Sequence, residues 1–198
     1  MSLQPIIEKL EGLFSKLNEG YYGGELETPI ITIQQGVKKT PVLGWCTTYK
    51  AWQGASEQYE INICAEFLNR PIIDVGETML HEMVHLYARQ HDIQDVSRGG
   101  AYHNKRYKEI AESHGLICEK GNHGWNKTGL RPESQSFLQG IFPGDDDILL
   151  HRMRFLGGSK KKPSNSRKYV CSECGASVRA TKEVNIMCAD CDEQMREE

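Results

Sequence analysis

HEMVHLYARQH, residues 81–91, holds three histidines and one glutamate. On an α-helix, positions i and i+4 lie one turn apart on one face, so His81 and His85 can point ring nitrogens at a single ion. Glu82 sits about 100° further round the helix, where it can reach a water on that ion without binding it. Zinc suits imidazole ligands, and a catalytic zinc keeps one position open for water. The ion brings that water's pKa toward 7, and a neighbouring carboxylate then removes its proton. This is the mechanical content of HExxH on a helix. The bland alternative is two histidines satisfied in a packing face. The flanking Met79, Met83, Val84 and Leu86 favour the metal, because they bury the helix and leave the motif in a protected cleft.

HExxH supplies two ligands, and the third must come from elsewhere. His91 has the spacing of HExxHxxGxxH, in which a glycine turns the chain back toward the ion. Here the glycine position is Ala88, which favours continued helix. On a continuous helix His91 lies about 9 Å further along the axis than His85 and about 240° round from it. It cannot then share their ion, and its role is that of a helix-end histidine near the carbonyl dipole. His103 is the better candidate. It is expected to begin a second helix, over about 103–113, and a histidine in the first turn of a helix packed on the first can face the same ion. Glu109 and Glu112 on that second helix are alternatives.

The rest of the chain frames this centre. MSLQPIIEKLEGLFSKLNEGYY, residues 1–22, has apolar residues at helical spacing (Ile6, Ile7, Leu10, Leu13, Phe14, Leu17) and reads as an amphipathic helix. It lacks the pattern of a secretory leader. Residues 29–34, 43–49 and 58–64 are β-branched and aromatic between turn residues, and read as strands. A helix over about 74–90 carries HExxH. Residues 116–150 show no clear pattern; GNHGWNKTGLRP, 121–132, reads as loop. With 198 residues, 38% hydrophobic and 26% charged, the chain fits one domain plus a small appendage. No apolar run is long enough for a membrane span, and an intracellular, cytoplasmic protein is expected. A net charge of −3 means that nucleic-acid contact must come from a local patch. RMRFLGGSKKKPSNSRK, residues 152–168, is such a patch, with seven basic residues and no acidic ones. Its Gly, Ser, Pro and Asn content reads as a flexible linker.

Beyond it, Cys171-x-x-Cys174 and Cys188-x-x-Cys191 stand 13 residues apart. Each CxxC turn presents two thiolates, and four complete a closed tetrahedral zinc site. Strands are expected at 169–170, 177–181 and 184–187. About 30 residues cannot build a core alone, so zinc is expected to drive folding here. Arg179, Lys182 and the linker lysines could meet phosphates.

HEMVH, a polar connector, and YHNKRY with His103 four residues before Tyr107 resemble the SprT-like family of zinc proteases. LGWCTTYKAW (43–52) and YEINICAEFL (59–68) resemble that family's short sheet. The likeness covers roughly residues 5–125 together with the C-terminal ribbon that some members carry. One departure is Asn104, where the family often has glycine. The resemblance implies His81, His85 and His103 as ligands, Glu82 as catalytic base, and proteins crosslinked to or bound on DNA as substrates.

The expectation is therefore an α+β chain with a zincin-like metalloprotease core: N-terminal helix, small three-stranded sheet, HExxH helix and second metal-binding helix. Residues 1–150 form the protease domain, 151–168 a basic linker and 169–198 a four-cysteine zinc ribbon. It carries one catalytic and one structural zinc, acts on protein substrates, contacts DNA through linker and ribbon, and has no membrane partner. If it binds DNA it would be nucleoid-associated. Two other readings stay open: a regulatory metalloprotease that cleaves a specific repressor, and a non-enzymatic nucleic-acid-binding zinc protein.

Overall fold

In the computed structural model, residues 2–36, 41–144, 147–153 and 166–198 are described. The chain divides into two compact units, residues 1–154 and 155–198, and the fold is mixed α+β. Most of the expected linker, 154–165, lies outside the described residues.

The first unit opens with α1 (Gln4–Tyr22), which has Pro5 in its first turn and stops at Gly23 in the left-handed region, φ 62°. Its apolar stripe of Leu10, Leu13, Phe14 and Leu17 is buried. Three strands follow: β1 (Ile30–Gln34), β2 (Gly44–Cys46) and β3 (Glu60–Cys64). They form a sheet in the order β1-β3-β2, with β1 parallel to β3 and β2 antiparallel to it. Every residue of the central β3 is buried, as a strand covered on both faces requires.

Helix α2 (Ile72–Gln90) runs through the middle of this unit. Val75, Met79, Leu80, Met83, Val84 and Leu86 are fully buried, so apolar contacts enclose most of its circumference. A strip at i, i+4, i+8 and i+12 stays part-exposed: Glu77, His81, His85 and Arg89. Its N-terminus is tied down from far along the chain, because Ile72 N–H donates to Asp147 Oδ1 at 2.7 Å. Helix continues through Ala88, as that residue's propensity implies, and His91 is the C-cap.

The next region departs from the sequence reading. Residues Val96–Ser97 (β4) and Tyr102–His103 (β5) pair antiparallel. His103 therefore ends a strand instead of beginning a helix. The reason is Asn104, whose side-chain oxygen accepts from Arg106 N–H and Tyr107 N–H and so caps α3 (Lys105–Ser113). Residues 116–130, expected to be largely loop, form a hairpin of β6 (Leu116–Gly121) and β7 (Gly124–Leu130). β5 pairs parallel with β7 at His103 and Gly124, giving a second sheet in the order β4-β5-β7-β6. Helix α4 (Pro132–Ile141) then packs Leu138 into the core.

The second unit has β8 (Arg167–Val170), β9 (Ser177–Ala180), β10 (Met187–Cys188), β11 (Glu193–Gln194) and β12 (Arg196–Glu197). Arg167 and Lys168 belong to a strand here and not to a linker. The expected strand at 184–187 survives only at Met187. The buried apolar cluster of this unit is Tyr169, Cys171, Cys188 and Met195. No helix among the described residues is long and apolar enough to cross a membrane.

Candidate metal centres

The part-exposed strip of α2 forms the floor of a cavity of about 750 Å³. β2 rims one side, the β4–β5 hairpin another, and Asn126, Lys127 and Thr128 of β7 a third. Three imidazoles meet there. His103 Nε2 lies 3.2 Å from His81 Nε2 and 3.1 Å from His85 Nε2. Imidazole nitrogens about 2.0–2.1 Å from a tetrahedral zinc stand about 3.3 Å from one another. A single proton cannot satisfy three converging nitrogens, whereas one cation can. His81, His85 and His103 are thus a group that could hold a metal ion.

The surroundings favour uncharged rings, the form that binds metal. Burial, together with the neighbouring imidazoles His85 and His103, pushes His81 well below the usual histidine value. Burial and His85 bring His103 down to about 4. His85 Nδ1–H donates to Asp95 Oδ2, and Asp95 Oδ1 accepts from Arg89 Nη1 at 2.7 Å. Burial alone would raise the Asp95 carboxyl; the hydrogen bond from His85 and the Arg89 guanidinium beside it outweigh that and hold it below its ordinary value. His81 Nδ1 lies 3.3 Å from Thr128 Oγ1, which donates to Glu77 Oε1 at 3.1 Å. Tyr107, fully buried, packs its ring 4.5–5.1 Å from all three imidazoles and serves as their floor.

Glu82 lines the same cavity and is only 5% exposed. Its carboxylate lies where a side chain on β2 would be. A Cβ on Gly44 would stand 3.3 Å from Glu82 Oε1 and 2.7 Å from Asn62 O, so only glycine admits this approach. β2 also offers its backbone. Thr47 N–H donates to Glu60 O, Cys64 N–H donates to Leu43 O, and Trp45 stands opposite Asn62. Antiparallel alternation then turns the main-chain groups of Gly44 and Cys46 to the outer edge, which no strand among the described residues covers.

The other candidates lie elsewhere. The His91 ring packs at a tilt against Tyr87, centroids 4.2 Å apart, and sits 3.9 Å from the Glu25 carboxylate. Glu112 pairs with Lys108, and Glu109 is exposed. His123 is exposed and contributes its carbonyl to His103 N–H at 2.9 Å, while the Trp125 ring packs on the core with Lys108 Nζ above it at 4.2 Å. Asp95, Arg89, Thr128 and Gly44 carry no signal of their place here in the sequence. Asp95 looks like one more turn residue in a polar connector, and Thr128 falls in a segment with no strand pattern.

In the second unit the ligand atoms of Cys171, Cys174, Cys188 and Cys191 all lie within 4.8 Å of one another. The Cys174 and Cys188 sulfurs are 3.6 Å apart, against about 3.8 Å for two sulfurs at 2.3 Å from a tetrahedral zinc. The first knuckle closes through Gly175, φ 73°, whose N–H donates to Cys171 O. Backbone N–H groups of Cys174 and Glu173 aimed at the Cys171 sulfur bring its thiol down to about 7.

The class defined here is an α+β protein with two groups that could hold metal ions, one of three histidines beside a buried carboxylate and one of four thiols. Over 79 residues the chain is 33% identical to the DNA-dependent metalloprotease SPRTN of Rattus norvegicus, and equally so to that of Mus musculus. The matched segment is 39% of this chain and 15% of those proteins. The likeness is thus to a distant metalloprotease relative over part of the chain. No protein-family model matches it, and no solved structure matches it significantly.

Proposed function

We propose that the chain is a zinc-dependent endopeptidase of SprT-like type, with a zincin-like core over residues 1–150 and a structural zinc in a ribbon over 169–198. The observation that carries this reading is the convergence of three Nε2 atoms in the cavity that Glu82 also lines. His81, His85 and His103 would hold the ion. Bound there, zinc would supply Lewis acidity and a water that loses its proton near neutral pH.

The remaining work falls to the chain's own groups. Gly44 and Cys46 pair with an extended peptide as an added strand, so main-chain hydrogen bonds hold the substrate whatever its sequence. Glu82 accepts the proton of the attacking water on its carboxylate and returns it to the departing amide nitrogen. Glu82 is only 5% exposed, so little bulk water competes for its carboxylate while it does so. The four cysteines leave no ligand position open, which suits a structural site.

The test is Glu82→Gln. Zinc content should match that of wild type while hydrolysis of an unfolded protein substrate falls about 10²–10⁴-fold, the usual contribution of a positioned general base. Hydrolysis unchanged in the variant would remove Glu82 as the base, and absence of hydrolysis by zinc-loaded wild type would eliminate this reading and favour a non-enzymatic binding protein. Proteins on DNA are proposed as substrates because the distant relatives are named DNA-dependent and the 152–168 segment is basic. Cleavage measured across a DNA titration checks this. Indifference to DNA, with selective cleavage of one partner, would favour the regulatory alternative.

A further inference from the structure

We infer that Asp95 is a positioning residue for the histidine site, setting the tautomer and orientation of His85; this rests on the metal reading above. A neutral imidazole carries one N–H, and whatever accepts from one ring nitrogen decides which way the other nitrogen's lone pair points. All three histidines turn Nε2 toward the common point, so each must keep its proton on Nδ1. The three are not supported alike. His85 donates Nδ1–H directly to a carboxylate that is 0% exposed. His81 reaches only a hydroxyl at 3.3 Å, relayed to Glu77. The buried Nδ1 of His103 has no hydrogen-bond partner among the described residues.

Asp95 is also the point where the two ligand-bearing segments are joined. Its side chain holds His85 and Arg89 of α2. Its main-chain oxygen accepts from Asn104 N–H at 2.9 Å, the residue after His103. The next residue, Val96, pairs with His103 itself across the β4–β5 ladder. One residue therefore aims a ligand from the helix through its carboxylate and fixes the neighbour of a ligand on the strand through its backbone. Arg89 supplies the counter-charge that lets a carboxylate stay fully buried. Thr128 does a weaker version of the same work for His81, without an ionised group in direct contact.

Two measurements test this. First, ring-nitrogen NMR on zinc-stripped wild type should show His85 locked as the Nδ1–H tautomer. Finding it as Nε2–H, or as a mixture, would overturn the inference, and no variant has to fold for that reading. Second, zinc affinity is measured by competition with a chelating dye for wild type, Asp95→Asn and Thr128→Val, with the cysteine site as internal control. Affinity at the histidine site should fall about 10–100-fold in Asp95→Asn, the usual cost of losing an outer-shell partner, and by less in Thr128→Val. The cysteine site should be unchanged. Asp95→Asn within about twofold of wild type would overturn the inference, since that lies well below the usual outer-shell effect. If wild type binds zinc only at the cysteines, the metal reading itself has failed, and the tautomer measurement still decides what Asp95 does.

Discussion

Gly124 decides where His103 sits. Its φ is +81°, and a Cβ there would lie 2.0 Å from His103 O. His103 is thus placed by close backbone contact, with its N–H on His123 O, and not by a partner for its ring. Gly124→Ala should push β5 away from β7 and destabilise the first unit by at least about 1–3 kcal/mol, the usual cost of a strained backbone. Thermal unfolding checks the stability, and zinc at the histidine site should be lost with it. At this scale the sequence is most informative where the chemistry is local. His81, Glu82 and His85 share one helix, so their spacing alone defines a common face. Each CxxC is a single turn. Asp95, Thr128 and Gly124 are hidden because their roles depend on which distant backbone they meet, and no spacing rule encodes that.

Between elements, the difference between His91 and His103 is one of backbone path. Helix α2 does not turn at Ala88, so His91 stays at its end against Tyr87. His91→Ala should keep the wild-type zinc content, and His103→Ala should lose the zinc of the histidine site; metal mass spectrometry distinguishes them. Loss in His91→Ala would mean that the chain turns back and would remove His103 from the site. The elements themselves are legible to unequal degrees. α1 and α2 carry strong 3.6-residue periodicity, and the first sheet has the β-branched residues of buried strands. The β6–β7 hairpin reads as loop because 119–124 is polar and glycine-rich, with no intrinsic strand preference. Its strands exist because each pairs with the other from Leu116 opposite Leu130 onward, with Leu116 buried in the core. Helix α3 starts at Lys105 and not at His103, because an asparagine cap outweighs helical propensity in the residue before it.

As a whole molecule, the chain joins a unit with a large apolar core to one whose cluster, among the described residues, is four buried residues. Stripping zinc should therefore unfold residues 166–198 while the first unit keeps its secondary structure, which amide hydrogen exchange resolved along the chain would show. Charge is also unevenly placed. Residues 166–198 hold five basic and seven acidic side chains, and Arg167 and Lys168 are paired with Glu197 and Glu198. Four thiolates on a zinc would add further negative charge. The ribbon surface is thus a poorer phosphate partner than Arg179 and Lys182, taken alone, suggest. Replacing Lys160, Lys161 and Lys162 by serine should weaken DNA binding and flatten its salt dependence, whereas Arg179→Ser with Lys182→Ser should do little. A larger effect from the second pair would return the contact to the ribbon.

The connector between His85 and His103 gains a further meaning once both ends are read as clamped. Its tip runs Arg98, Gly99, Gly100, all at positive φ and all exposed. The two-residue ladder of β4 on β5 and the Asp95 and Asn104 contacts hold it down, and an ion shared by the three histidines would add a further clamp. A clamp that can be removed makes this tip a built-in reporter of occupancy. Trypsin, which cuts after arginine, should nick the chain at Arg98 slowly when the histidine site is filled and much faster when it is emptied. Under the function proposed above, a chain that lost its zinc would thus become vulnerable to proteolysis, and inactive molecules would be cleared ahead of active ones.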